Sequence, residues 1–246
     1  MVGGGERVDK MGRASTTPLR GLRSVVRSML RGIIGRGVAP WSGRRIGFGL
    51  EKTLDRDILL IVEADSSEVR ITGIQGRSLS IRGFRSPGGN VELGFGEKRG
   101  RLIARLRVDS ASVTVEAPLE ALAVIADSSG VVIEAVDTPL DYVSVKADSS
   151  GVKGRSKIKP GGGVYVEADS SGVKLAITPT IRGEYWIDVD SRSSGVTIEF
   201  EGDKTYYIEE QVARLSRLEV KKDAGAPGGS RVRVNVKAVS SSVKIV

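Results

Sequence analysis

From Leu119 to Leu175 apolar and polar residues alternate with a period of two, the mark of strands buried on one face. Leu122, Val124 and Ala126 lead into Asp127-Ser128-Ser129-Gly130, and Val131, Ile133 and Ala135 lead out of it. The same slots hold Val143, Val145 and Ala147 before the corner at Asp148, then Val164, Val166 and Ala168 before the corner at Asp169. Asp-Ser-Ser-Gly is a turn signal, so the repeated unit is strand, corner, strand. Looser copies are "ADSSEVRI" from Ala64, "VDSASVTVEA" from Val108, "VDSRSSGVTIEF" from Val189 and "AVSSSVKIV" from Ala238.

Asp65, Asp109, Asp127, Asp148, Asp169 and Asp190 are separated by 44, 18, 21, 21 and 21 residues. The first interval has room for two units, with a degenerate corner at Pro87-Gly88-Gly89-Asn90-Val91, and the stretch before Val239 holds a weak copy near Arg214–Val220. Units of this length cannot pair as hairpins, so like strands are expected to stack in parallel about 4.8 Å apart with right-handed connections. The predicted fold is all-β: a single-chain parallel β-helix, or β-solenoid, of about nine coils over residues 52–246. Within each coil the inward series shrinks toward Ser128, Ser149 and Ser170, and the following glycine supplies the unusual backbone angle. A second corner carries Pro118, Pro139, Pro160 and Pro179, with Leu119, Leu140 and Ile181 as apolar plugs.

"FGLEKTLDRDILLIVEADSSEVRITG" from Phe48, followed by the repeated V-x-V-x-A-D-S-S-G-V-x-I phrase, resembles the "putative adhesin" type of β-strand repeat family. That family covers bacterial and archaeal proteins with no assigned activity. The resemblance spans residues 48–246 and implies a β-solenoid with an envelope or surface association. The chain departs from that pattern in showing no secretion signal and no membrane-spanning run. The expected location is therefore the cytoplasm or the inner face of the membrane.

Composition narrows the chemistry. The chain has no Cys and no His, which excludes disulfides, His-dependent catalysis and His or Cys metal sites. Only two Asn and two Gln occur beside 28% charged residues, a thermophile-like bias. No catalytic residue, cofactor or metal is expected.

Net charge is +8 for the whole chain, and residues 1–50 hold ten basic and two acidic residues, also +8, so the remainder is formally neutral. A leader over residues 1–17 precedes a predicted basic amphipathic helix over 18–34, and a Gly/Arg-rich linker follows over 35–51. Thr17 and Pro18 provide the helix start. The apolar stripe comprises Leu19, Leu22, Val26, Leu30 and Ile33, flanked by Arg20, Arg23, Arg27 and Arg31. Gly21 and Gly32 weaken an isolated helix, so it needs a surface: the first coil, an anionic membrane or a protein partner. Nucleic acid is a further option for this arginine-rich segment.

Three features of the repeat carry candidate chemistry. Asp109, Asp127, Asp148, Asp169 and Asp190 are expected to form one structural column at the corner, each carboxylate accepting a nearby backbone N–H. Stacked charges ~5 Å apart repel by about 1 kcal/mol even in water, so an offset is required. Tyr165 and Trp186 are read as neighbours in one outward column, able to contact a sugar or partner. Lys153, Arg155, Lys157 and Lys159 alternate along one strand as a cationic row, with Glu134 beside Arg155.

The sequence therefore points to a non-enzymatic structural or surface-binding scaffold. Its alternative is a polysaccharide-binding or polysaccharide-acting β-helix using Asp127, Asp148, Asp169 and Arg155. The last strand runs to Val246 with Val243 and Ile245 facing inward, which predicts self-association through an uncovered C-terminal coil.

Overall fold

The computed structural model describes residues 46–220 and 229–246. Strands account for 82% of these residues, and no helix occurs among them. The first elements are β1 (Ile46–Thr53), β2 (Ile58–Asp65), β3 (Glu68–Gly73), β4 (Ser78–Lys98) and β5 (Arg101–Ala117). The middle of the chain forms β6 (Leu119–Asp127), β7 (Gly130–Asp148), β8 (Gly151–Asp169), β9 (Gly172–Pro179), β10 (Glu184–Arg192) and β11 (Gly195–Phe200). The last are β12 (Lys204–Arg214), β13 (Arg217–Val220), β14 (Ser230–Val239) and β15 (Ser242–Ile245).

Matching strands of the repeat do pair in parallel and in register. Leu122 lies beside Val143, Val143 beside Val164, and Val164 beside Ile187, so inward columns of like residues form the core. The next columns run Val124, Val145, Val166, Val189 and Ala126, Ala147, Ala168, Ser191. Ser191 stands where its neighbours have alanine. It is fully buried, and its hydroxyl has no partner among the described residues. A buried hydroxyl without a partner is costly, so Ser191→Ala should stabilise the protein by about 1 kcal/mol. Thermal unfolding should then shift up by roughly 2–4 °C.

The corners turn on serine rather than glycine. Ser66, Ser110, Ser128, Ser149, Ser170, Ser193 and Ser240 all take a left-handed backbone, with φ between 48° and 51°. The first five hydroxyls donate to the preceding aspartate, at 2.8 to 3.3 Å. Lateral backbone bonds such as Ser128 N–H to the Asp148 carbonyl (3.0 Å) hold the turn in place. The following serine is the inward one. Ser129 Oγ donates to the Asp127 carbonyl at 2.7 Å, while the Ser129 N–H donates to Ser150 Oγ of the next unit at 3.0 Å. The pattern recurs from Ser67 through Ser150, Ser171, Ser194 and Ser241 to Ser216, a ladder in which hydroxyls replace the carbonyls that the corner has turned away. The predicted inward serines were thus one residue early.

The uniform solenoid of about nine successive coils does not survive. β4 runs antiparallel to β1 and to β5. Its reversal is made by the two-residue turn Arg99-Gly100, both with positive φ (53° and 76°), the geometry of a tight hairpin. The pairing closes a five-stranded ring: β2 with β6, β6 with β7, β7 with β3, β3 with β5, and β5 back to β2. Spatial order also departs from chain order, because β2 lies between β5 and β6. The degenerate corner near Pro87 does sit opposite the Asp109–Ala111 corner, but on a reversed strand.

At the other end β14 lies between β10 and β12, and β15 between β11 and β13. The C-terminal unit is therefore internal. Among the described residues the outer edge belongs to β12 and β13, which removes the premise that Val243 and Ile245 lie uncovered. The leader and helix over residues 1–34 lie outside the described residues. Ile46 to Glu51, assigned to the linker, belong to β1. Of the predicted plugs, Leu119 and Leu140 are buried, and Ile158 follows Leu140 in the column, whereas Ile181 is 65% exposed.

Candidate functional site: a glycine-floored groove

The residue after each inward serine opens the outgoing strand. In four successive units it is glycine, and register places Gly130, Gly151, Gly172 and Gly195 side by side. Four strands at ~4.8 Å spacing make a floor about 14 Å long. Packing does not demand these glycines, since a Cβ added at any of them meets nothing within 4 Å. The backbone does not demand them either. None has a left-handed φ, and the equivalent positions on β3 and β5 hold Glu68 and Ser112. The missing side chains leave an open groove of ≈ 670 Å³.

The corner ridge does not line the groove. Asp109, Asp65, Asp127, Asp148 and Asp169 stand in one column, interleaved with the left-handed serines whose hydroxyls bond to them. The groove's wall is the next outward column, where Thr114, Arg70, Val132, Lys153, Lys174 and Thr197 line up. Lys174 pairs with Glu199 at 3.0 Å, whereas Arg70 and Lys153 form no ion pair among the described residues. The lining thus offers Arg70 and Lys153 as cationic donors and Glu68, Ser112, Thr114 and Thr197 as oxygen acceptors, beside the glycine floor.

The predicted site residues are placed unevenly. Asp109, Asp127, Asp148 and Asp169 share the column and Asp65 joins them, but Asp190 does not. Arg192 pairs with Asp169, and Asp190 sits beside Glu167, because "VDSRSSG" carries two extra residues before its corner. The carboxylates take their serine hydroxyls rather than the backbone N–H two residues on, which goes to the serine ladder.

Tyr165 and Trp186 are not neighbours in one column. The same two-residue offset puts Trp186 beside Gly163 and Asp188 beside Tyr165. Tyr165 is buried and its hydroxyl donates to Glu167 at 3.0 Å, so the pair makes no exposed step.

The cationic row divides. Lys153 lines the groove and Arg155 lies beside Glu134 in the register. Lys157 is half-buried, and Lys159 is held by Asp141 at 3.1 Å. That carboxylate also takes Arg101 at 2.7 Å, and Arg101 reaches Glu120 at 3.3 Å. Burial pushes the Glu120 carboxyl up, Arg101 opposes this, and Asp141 adds to it. Burial likewise raises the Tyr142 phenol to about 12. Neither group borders the groove.

Sequence reasoning missed the groove because it gave the corner glycines a backbone role. The signal was present: Glu68 and Ser112 occupy the same slot in looser copies, so glycine is not obligatory there.

No family model matches the chain, and no curated relative matches it. Solved structures of similar fold include a "putative cell adhesion protein" from Clostridium sporogenes ATCC 15579, with 10% identity, a TM-score of 0.44, and coverage of 81% of this chain and 99% of that one. A "putative adhesin" from Parabacteroides distasonis ATCC 8503 has 11% identity, a TM-score of 0.37, and coverage of 83% and 98%. A "putative lipid binding protein" from the same organism has 13% identity, a TM-score of 0.30, and coverage of 81% and 96%. At these scores the likeness carries no assignment of function to this chain.

Proposed function

We propose that the protein is a non-enzymatic surface-binding scaffold whose glycine-floored groove holds an extended neutral polysaccharide. The observation that supports this reading is the column Gly130, Gly151, Gly172 and Gly195, where neither packing nor backbone calls for glycine. A side chain there would cost the fold nothing and would fill the groove. The lining favours a polyol: Glu68, Ser112, Thr114 and Thr197 accept hydrogen bonds from hydroxyls, and Arg70 and Lys153 donate to them.

The test is co-sedimentation with neutral polysaccharides, a β-glucan, an α-glucan and a mannan, for the wild type and for Gly151→Leu. Binding of at least one by the wild type, and loss of that binding in Gly151→Leu at an unchanged melting temperature, is the expected result. Failure of the wild type to bind any of them, or equal binding by both forms, would overturn the proposal.

A further inference from the structure

We infer that the groove ends in a terminal subsite beside β4, so that the protein holds a polysaccharide by its chain end. This rests on the groove reading above and adds a direction to it. Past Gly130 the column continues through Glu68 and Ser112 to Phe84 of β4. Paired residues on adjacent strands share a face, so all three side chains rise on the groove side. Glu68 is exposed and ends the glycine floor. Beyond it a second cavity of ≈ 390 Å³ is bordered by Ser66, Phe84, Arg85 and Ser128, and it shares Glu68, Ser112 and Gly130 with the groove.

Phe84 is the most exposed aromatic ring of the described residues, at 54%. Its neighbour on β1 is Gly47, so no β1 side chain stands at that position beside the ring. Arg85 is drawn back, its Nη1 donating to the Gly89 carbonyl at 3.2 Å. At the opposite end Gly195 is followed by Ser242 and then by the exposed Arg217, so the two ends of the column carry opposite charge. The end beside β4 thus carries a carboxylate with an aromatic face two strands beyond. A sugar ring has an apolar C–H face suited to an aromatic ring, and its terminal hydroxyls are donors for Glu68. An interior sugar would have to carry its chain onward through Glu68 and Phe84.

The test is calorimetric titration with linear neutral glucans graded from a short oligosaccharide to a high polymer, for the wild type, Phe84→Ala and Glu68→Gln. End recognition gives one protein bound per glucan chain at every length, and affinity for the oligosaccharide falls at least about tenfold in both variants. A bound ratio that grows with chain length, or unchanged affinity in both variants, would overturn the inference. Should Gly151→Leu abolish binding while Phe84→Ala and Glu68→Gln do not, the groove stands and the terminal subsite falls. If the wild type binds no glucan of the series, the terminal subsite falls with the groove reading for this ligand class.

Discussion

Gly163→Ala is expected to lower the melting temperature by roughly 6–12 °C, the shift that accompanies a loss of about 3 kcal/mol in a domain of this size. A Cβ at this position would be driven into the Trp186 carbonyl oxygen and would stand 2.6 Å from Trp186 Cδ2. The oxygen belongs to the paired backbone of β10, so neither side can give way without breaking the ladder. Gly151→Ala is the matched control. Its Cβ meets nothing within 4 Å, and the change should stay within about 0.5 kcal/mol. Thermal unfolding followed by circular dichroism separates the two. Equal effects would mean that the glycines do not divide into packed and open classes, and the groove would lose its physical basis.

Ser150→Ala should destabilise the protein by about 2 kcal/mol, whereas Ser149→Ala should cost under about 0.5 kcal/mol. The buried Ser150 hydroxyl donates to the Asp148 carbonyl at 2.6 Å and accepts the Ser129 N–H at 3.0 Å. Its removal leaves the buried Ser129 N–H unsatisfied at the corner, while the Asp148 carbonyl keeps the Ser128 N–H. The Ser149 hydroxyl bonds to the Asp148 carboxylate at the surface, a contact that water replaces. The shift for Ser150→Ala should be roughly 4–8 °C by calorimetry. A larger loss for Ser149→Ala than for Ser150→Ala would mean that the ladder is not what joins one corner to the next.

The strand alternation and the Asp-Ser-Ser-Gly phrase were legible because both are local: period two fixes the inward face, and identical phrases stack in register. Hence Leu122, Val124 and Ala126 are core residues, and Asp127, Asp148 and Asp169 form a column. Long-range order was not legible, since spacing alone does not say on which side of β2 the next unit lands. The hairpin at Arg99-Gly100 had a readable sign, alternation on both flanks that brings Leu93 opposite Leu106 and Val91 opposite Val108. Arginine-glycine lacks the Asn-Gly or Asp-Gly form that marks such turns most strongly. A two-residue insertion before Arg192 was enough to displace Asp190 and Trp186 from their predicted columns. Register is unforgiving in this way, and only the pairing reveals it.

Calorimetric titration of the wild type and Gly151→Leu with a soluble neutral polysaccharide is the most direct test of the central claim. The wild type should bind, and the variant should lose at least about tenfold in affinity, or about 1.4 kcal/mol, while its unfolding curve overlays that of the wild type. Equal affinity in the two proteins, or no binding by the wild type, would contradict the account.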